Sequence, residues 1–267
     1  MEILGNILLF LKTRCDRPQP FGVFHIVMLI LISAAAVFVI KKLPPTEKNL
    51  RRLLLVLSVA TIVLEVYKQL VYSFDFVDGK FLFSYTWRVF PWQFCSTPMI
   101  AGLLAAVVKN ERIHYGLCCY LATYGLFAGL LTVITGGNIF SGFAGVNFQT
   151  AVCHGSMTII GLYLLATKYV RPEYSSVLYA LPWFIGGVVI AVILNYTVYF
   201  SGVSGGQEFD MYYINPYFLD TVAAMKPFKL LSGHFIPLVY ITVYTGFSCG
   251  IIFIRRLFMK KEEKATA

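Results

Sequence analysis

The fold class is decided by residues 177–199, which read VLYALPWFIGGVVIAVILNYTVY without a single Asp, Glu, Lys or Arg. About 20 consecutive apolar residues are enough to cross the hydrocarbon core of a bilayer as an α-helix. Lipid offers no hydrogen-bond partner to the backbone, so such a segment folds as a helix, which pairs its own amides and carbonyls. The stretch therefore predicts a membrane-spanning helix.

The same pattern recurs along the chain. Only 13% of the 267 residues are charged and 58% are apolar, whereas a soluble domain carries about 25% charged residues. Six further runs are apolar and long enough to span a membrane: 21–40, 53–73, 89–108, 113–134, 151–167 and 233–254. Residues 1–20 place Leu4, Leu8 and Leu11 on one face ahead of basic residues, which is typical of a short interfacial helix. We therefore predict an all-α polytopic membrane protein with seven transmembrane helices plus a short N-terminal interfacial helix, folded as a single domain over residues 1–267.

The net charge of +9 is compatible with nucleic-acid binding, but its distribution favours a membrane protein. Lys and Arg fall in short clusters beside the apolar runs. In a seven-span topology, the loops on one side carry twice as many of them as the loops on the other. Basic residues accumulate on the cytoplasmic side of membrane proteins. We therefore expect no nucleic-acid partner, an N-terminus outside and a C-terminus in the cytoplasm.

The six cysteines lie mostly within apolar segments and lack the spacing of a metal site or a disulfide framework. Most of them are expected to be small packing residues, and the sequence predicts no metal and no organic cofactor. The N-terminus has no basic region followed by a small-residue cleavage site, so no signal peptide is expected.

Polar side chains inside the predicted spans collect in the outer half of the membrane. With the N-terminus outside, that half contains His25, Glu65, Lys68, Gln93, Cys95, His154, Asn195 and His234, while His114 lies at the inner end of its span. Ionisable residues within a membrane usually face a bundle interior or a water-filled cavity. The distribution predicts one polar cavity that opens outward.

The segment Phe90–Ser96 (FPWQFCS) contains the main candidate for chemistry, Cys95. A thiol in apolar surroundings needs a base to become a reactive thiolate. His154 is predicted at the same depth, about one to two helical turns below the outer surface. Gln93 and Ser96 could donate hydrogen bonds to a developing oxyanion. The alternative is that Cys95 is a small buried residue and His154 a hydrogen-bonded polar group.

Two prolines flank this cysteine. Pro91 is expected in the first turn of the third span. Pro98 is expected inside that span, where a proline removes a backbone hydrogen bond and kinks the helix. Such a kink would open room for a substrate beside the thiol.

Other polar residues have simpler interpretations. Glu65 and Lys68 are spaced i, i+3 on one helix face and are expected to neutralise each other, although Lys68 could instead meet a lipid phosphate. Asn195 occurs in an Asn-Tyr-Thr sequon but within a span, where a hydrogen bond between helices is expected. His234, at the start of the last span, is either interfacial or a second base. The uncharged, glycine-rich loop 135–150 is a candidate lid.

Several short motifs resemble those of a known family. Pro91–Ser96 (PWQFCS), Gln149–His154 (QTAVCH), Asn215–Leu219 (NPYFL) and Lys226-Pro227 are similar to segments of the transmembrane protein 164 / YwaF family, and the similarity extends through nearly the whole chain. Eukaryotic members are described as cysteine-centred acyltransferases that move acyl chains between phospholipids. The family is also thought to be distantly similar to androgen-induced-gene-type hydrolases, which use Thr and His.

The resemblance implies that Cys95 is the nucleophile and His154 its base, with Asn215 in a supporting role. It also implies a bacterial cell membrane as the location. At Gln93 the chain departs from bacterial members, which often carry His there. His234 is the nearest equivalent of a later His-rich or Trp-rich segment in those members.

The leading hypothesis is an integral membrane lipid acyltransferase or lipid hydrolase. It would act on a membrane lipid or lysolipid through a Cys95–His154 thioester mechanism in the outward-opening cavity. The alternative is a non-enzymatic seven-helix binding protein or transporter subunit that holds a small ligand on Glu65, Lys68, Asn195 and His234. The sequence leaves the acyl chain, the headgroup, the choice between transfer and hydrolysis, and the oligomeric state open.

Overall fold

The computed structural model of the chain describes residues 2–136, 139–218 and 225–266, without the side chains of residues 260 and 262–266. Within these ranges the α-helices are α1 (Glu2–Leu11), α2 (Val23–Lys42), α3 (Glu47–Ser73), α4 (Thr97–Val107), α5 (Glu111–Tyr120), α6 (Leu126–Thr135), α7 (Ala144–Ala166), α8 (Tyr174–Ser201), α9 (Lys226–Ser232) and α10 (Ile236–Thr266). Strands β1 (Phe74–Val77) and β2 (Lys80–Phe83) form an antiparallel hairpin. A π-helical turn at Leu121–Gly125 joins α5 to α6 without interruption.

Six helical segments of the described residues are apolar and long enough to cross a membrane: Val23–Lys42, Glu47–Ser73, Glu111–Thr135, Ala144–Ala166, Tyr174–Ser201 and Lys226–Met259. The prediction of a helical, multi-pass membrane protein is therefore confirmed. These segments correspond to six of the seven predicted spans. Helix α1 supplies the short N-terminal helix that was expected ahead of them.

The third predicted span, residues 89–108, differs from the others. Its helix, α4, has 11 residues. At about 1.5 Å per residue these cover only about half of a hydrocarbon core of roughly 30 Å. The preceding part is a 3-10 turn at Trp87–Val89 followed by irregular backbone up to Ser96. The described residues therefore do not confirm a count of seven spanning helices.

The prolines explain where α4 begins. Ser96 is its N-cap and Pro98 lies in its first turn, where the missing amide hydrogen has no helical acceptor to lose. The predicted kink at Pro98 inside a longer helix is therefore wrong. The placement of Pro91 in a first helical turn is wrong as well, because residues 90–96 are not helical. Cys95 consequently lies just before a helix and not within one.

A hairpin that was not predicted connects α3 to the segment before α4. Asp78 and Gly79 both have positive φ, 51° and 74°, as in a two-residue type I′ turn. Two cross-strand phenylalanine pairs hold the strands together. Lys12 forms an ion pair with Asp75, which ties the segment after α1 to the hairpin. The signal was present in the sequence as an Asp-Gly pair between alternating apolar residues.

Close packing between α6 and α7 positions His154. A Cβ at Gly129 would lie 2.9 Å from the Met157 Cβ and 3.1 Å from the His154 carbonyl oxygen. A Cβ at Gly161 would lie 2.6 Å from the Leu126 Cβ. Small residues at such contacts let membrane helices approach closely. The two glycines therefore set the distance between α6 and the helix that carries the histidine.

Candidate functional site

A cavity of about 700 Å³ lies between α3, α6, α7, α10 and the segments 88–96 and 139–142. Its walls include the two residues predicted to be catalytic, Cys95 and His154. The volume is in the range of pockets that hold small organic ligands. The predicted nucleophile and base therefore share one cavity.

Cys95 is half-buried and precedes Ser96, the N-cap of α4. Both Cys95 and Ser96 line the cavity. The partial positive charge of a helix N-terminus favours an anion nearby. The Cys95 carbonyl oxygen accepts a hydrogen bond from Sγ of Cys153 at 3.6 Å. A second thiol thus lines the same cavity beside the first.

The ring of His154 has a defined orientation. Its Nδ1 lies 2.9 Å from the carbonyl oxygen of Thr150, one turn earlier on α7. A carbonyl oxygen only accepts, so Nδ1 donates the hydrogen, and in the neutral ring Nε2 presents a lone pair. In the described part of the chain Nε2 has no hydrogen-bond partner, and no hydrogen bond joins His154 to Cys95. Nε2 is therefore available to a molecule in the cavity.

Glu65 and Lys68 form the expected ion pair, with Nζ 2.8 Å from Oε1. Glu65 is 5% exposed, and its carboxylate also accepts hydrogen bonds from Gln69 at 2.8 Å and from Gln149 at 3.3 Å. A buried carboxylate needs such partners because loss of water penalises an unpaired charge. Both members of the pair line the cavity. An organised pair of charges therefore faces the same space as Cys95.

Gln69 extends this network to the segment that leads to the cysteine. Its Nε2 donates to the Val89 carbonyl oxygen at 2.6 Å, and its Oε1 accepts from the Tyr85 hydroxyl at 3.0 Å. The Gln69 side chain thus satisfies the backbone carbonyl of Val89, which has no helical partner here. Gln69 was not predicted, although its i+4 spacing from Glu65 is a signal that could have identified it.

Two amide side chains hold the loop between α8 and α9. Gln93 donates to the Asp210 carbonyl oxygen at 3.0 Å and accepts from the Tyr212 amide at 3.1 Å. Asn195 makes a similar two-point contact with Met211, at 3.0 and 2.7 Å. Asn195 therefore joins a helix to a loop and does not make the predicted hydrogen bond between helices. Gln93 also lines the cavity.

A buried ion pair that was not predicted closes the same loop. Lys229 pairs with Asp210, and neither side chain is more than 1% exposed. The Asp210 carboxylate also accepts a hydrogen bond from the backbone amide of Asn215 at 2.7 Å. The Asn215 side chain donates to the Phe209 carbonyl oxygen at 2.8 Å. Asn215, expected to support the site, thus stabilises the loop. The loop in turn supplies Glu208 and Tyr213 to the cavity wall.

His234 lies apart from the cavity. Its Nδ1 is 2.6 Å from the Tyr196 hydroxyl oxygen, and its ring centroid is 5.6 Å from that of Tyr217. His25 is fully buried, with one ring nitrogen 2.8 Å from the Val133 carbonyl oxygen. The polar residues singled out from the sequence therefore divide into two groups. Those on its wall are Glu65, Lys68, Gln93, Cys95, Ser96 and His154, and those that do not line it are His25, Asn195, Asn215 and His234.

Charged residues outside the spans border the cavity. Arg17 lies on the cavity wall. The segment that carries it is held there by the backbone amide of Cys15, which donates to the Gly142 carbonyl oxygen at 2.9 Å. Arg88 and Glu208 also line it. Burial raises the pKa of the Glu208 carboxyl above its ordinary value, and the Arg88 guanidinium opposes that shift.

The candidate lid at 135–150 includes residues 137 and 138, which lie outside the described residues, while residues 139–142 line the cavity.

The cavity presents two thiols, an imidazole, an ammonium–carboxylate pair and several hydroxyls to its interior. A thiol activated by an imidazole can attack an acyl carbonyl carbon. No group of three or more His, Cys, Asp or Glu within the described residues is arranged to hold a metal ion. The arrangement is suited to nucleophilic acyl chemistry.

Comparison with known proteins adds one finding on relationship. A family model described as the TMEM164 family matches residues 20–254. No curated protein and no solved structure matches the chain. The matched range includes Cys95, His154 and the Glu65–Lys68 pair.

Proposed function

Because this chain belongs to the TMEM164 family, we propose that it is an integral membrane lipid acyltransferase or lipid hydrolase in which Cys95 is the nucleophile and His154 the base. The observation that carries the proposal is that both side chains line one cavity of about 700 Å³. The proposed substrate is a membrane lipid or lysolipid.

In the first step Nε2 of His154 takes the thiol proton and the Cys95 sulfur bonds to the ester carbonyl carbon, which places negative charge on the carbonyl oxygen. The ester C–O bond then breaks, His154 returns the proton to the leaving alkoxide, and the acyl group remains on sulfur as a thioester. A lysolipid hydroxyl or a water, deprotonated by the same imidazole, then attacks the thioester carbonyl carbon. The C–S bond breaks, the acyl group leaves on the new oxygen, and His154 returns the proton to the Cys95 thiolate. The Nδ1 contact with Thr150 supports this role, because it leaves Nε2 as the basic nitrogen.

The cavity wall is also suited to an acyl chain. Ala128 and Leu131 of α6, Ile139 and Phe140 of the following loop, and Val146 of α7 line it together with the polar groups. Apolar walls with a few placed polar groups are the usual composition of a small-molecule site. A lipid ester could therefore place its chain on the apolar wall and its carbonyl group near Cys95.

The segment 87–107 is proposed to cross the membrane as the third of seven spans. Its first part is irregular, and irregular backbone at membrane depth is tolerated where it lines a cavity or is buried in protein. Six residues of this part, Arg88, Val89 and Gln93 to Ser96, line the cavity. This topology and the distribution of basic residues support a cavity that opens to the outside and a C-terminus in the cytoplasm.

The test uses purified protein reconstituted with a phospholipid and a lysolipid of distinct acyl chains. Mass spectrometry follows acyl exchange, fatty-acid release and an acyl adduct on Cys95. Wild type is expected to exchange or release acyl chains, and Cys95→Ala is expected to fall to background. Cys153→Ala is the matched control, because it removes the other thiol of the cavity, and it is expected to stay active. A wild-type rate in Cys95→Ala would refute the mechanism.

A non-enzymatic binding protein is the second candidate, favoured by the Glu65–Lys68 pair on the cavity wall. Asn195 and His234 do not line this cavity, so a ligand there would rest on that pair. A lipid-like, thiol-reactive probe separates the two candidates. Slower labelling of Cys95 in His154→Ala favours the enzyme, and equal labelling favours the binding protein.

A further inference from the structure

We propose that Lys68 is a further catalytic residue of this site. Its ammonium group stabilises the negative charge that forms first on the Cys95 sulfur and then on the carbonyl oxygen under attack. Glu65 is a positioning residue that holds the ammonium group. The inference rests on the proposed function, since it assigns both residues a role in that reaction.

Lys68 is less exposed to solvent than the other cations on the cavity wall. Its side chain is 16% exposed, whereas Arg17 and Arg88, which also line the cavity, are exposed. Across the described ranges, Glu65 is its only hydrogen-bonding or ion-pair partner. An ammonium group has three donors, so two are left for an anion in the cavity. A preorganised cation acts most strongly where water is excluded.

Lys68 shares the cavity with the reacting groups. Its side chain lines the same wall as the thiols of Cys95 and Cys153 and the imidazole of His154. A cation on the wall of a cavity favours negative charge on the groups that face the same space.

Titratable groups approach Cys95 from each element packed around it. Glu65 and Lys68 on α3, Cys153 and His154 on α7, Tyr213 in the loop and Tyr244 on α10 line the cavity with Cys95. Tyr120 on α5 and Tyr212 in the loop place their hydroxyl oxygens 2.8 and 3.0 Å from the hydroxyl oxygen of Thr97. Tyrosine is ordinarily neutral at physiological pH. Among these groups, Lys68 carries the charge that can favour a thiolate at Cys95, and His154 is the acceptor of the proton.

Glu65 holds Lys68 in place but neutralises only part of its charge. Three donors, from Lys68, Gln69 and Gln149, share the Glu65 carboxylate. Part of the carboxylate charge is therefore balanced by amides. The donors come from α3 and α7, so the pair is anchored to two helices. Such anchoring keeps the ammonium group in place while charge develops on the substrate.

Lys68 keeps its own protons throughout the reaction. The thiol proton goes to Nε2 of His154, and the S–C bond forms as the carbonyl π electrons move to oxygen. The ammonium group donates hydrogen bonds first to the thiolate and then to that oxygen. When the carbonyl group re-forms, the ester C–O bond breaks and His154 protonates the leaving alkoxide.

The test measures the pH dependence of Cys95 alkylation by a lipid-like iodoacetamide in reconstituted protein, quantified at Cys95 by peptide mass spectrometry. Only the thiolate is alkylated efficiently, so the midpoint reports thiolate formation. Lys68→Met is expected to raise the midpoint by about one to three pH units, the effect of removing a nearby opposite charge. Lys68→Arg keeps the charge and is expected to stay close to wild type.

A second variant guards against a folding artefact. Lys68→Met leaves the Glu65 carboxylate buried without its cation, whereas the double variant Glu65→Gln/Lys68→Met removes both charges. The double variant is expected to show a smaller upward shift, because it also removes the Glu65 charge that disfavours a nearby thiolate, and Glu65→Gln alone is expected to move the midpoint downward. A wild-type midpoint in Lys68→Met, or a shift that disappears in the double variant, overturns the proposal.

The labelling experiment does not depend on acyl transfer, so the two proposals fail separately. A wild-type exchange rate in Cys95→Ala removes the proposed function, whatever the labelling profile of the Lys68 variants. If Lys68→Met changes only KM for the lipid and leaves the labelling profile unchanged, Lys68 binds a lipid phosphate. That result overturns the catalytic assignment and leaves Cys95 as the nucleophile.

Discussion

Nδ1 of His154 donates a hydrogen bond to the carbonyl oxygen of Thr150 at 2.9 Å, and this contact orients the imidazole on the wall of the cavity. The contact is local, one helical turn long. It therefore orients the ring independently of the neighbouring helices.

Replacing this base is expected to lower the rate of acyl transfer strongly. His154→Ala should reduce it by about 10²- to 10⁴-fold, the usual contribution of a positioned general base, as measured by mass spectrometry of lipid products. His234→Ala is the control, because His234 contacts Tyr196 and does not line the cavity. A greater loss of activity in His234→Ala than in His154→Ala would contradict the assignment of His154 as the base.

A methyl group at Gly129 is expected to displace α7. The added Cβ would lie 3.1 Å from the His154 carbonyl oxygen and 2.9 Å from the Met157 Cβ. Overpacking of this kind costs about 1–3 kcal/mol, so Gly129→Ala should lower both the unfolding midpoint in detergent and the transfer rate. Gly186→Ala is the matched control, since nothing lies within 4 Å of its added Cβ and Ala is the better helix former. Equal behaviour of the two variants would argue against close packing at Gly129.

Lys229→Met is expected to destabilise the protein by about 3–5 kcal/mol, because it leaves the carboxylate of Asp210 buried without the ammonium group of Lys229. Both side chains are at most 1% exposed. Chemical unfolding in detergent measures the loss, and Asp210→Asn/Lys229→Met should recover part of it. Asp75→Asn removes an ion pair whose carboxylate is 59% exposed and should cost less than about 1 kcal/mol. A small effect of Lys229→Met would show that the loop does not depend on its buried pair.

The two termini are expected on opposite sides of the membrane. Seven crossings require residues 87–107 to pass through as the third span, and the basic residues favour a cytoplasmic C-terminus. Epitope tags at each end, probed with a protease in oriented vesicles, measure this directly. Tags on the same side would mean that residues 87–107 enter the membrane and return without crossing.

Part of the site could be identified from local sequence. Cys95, His154 and the Glu65–Lys68 pair are polar groups within apolar runs, where lipid offers them no partner. Gln93 and Asn195 have the same signature. Their partners, however, lie in the loop between α8 and α9, which for Gln93 is more than 100 positions away. A pattern along one helix does not identify a partner at that distance.

The sequence by itself determined the membrane class, six of the spanning segments and the ion pair at i, i+3. These features depend on composition and on neighbours within one or two helical turns. Only the tertiary structure decided that Cys95 precedes a short helix, that His154 faces the same cavity, and that Lys229 is a buried partner of Asp210. The physical reason is that helix packing selects which distant segments meet. Residues with the same local chemistry are divided by that packing between a cavity wall and a loop.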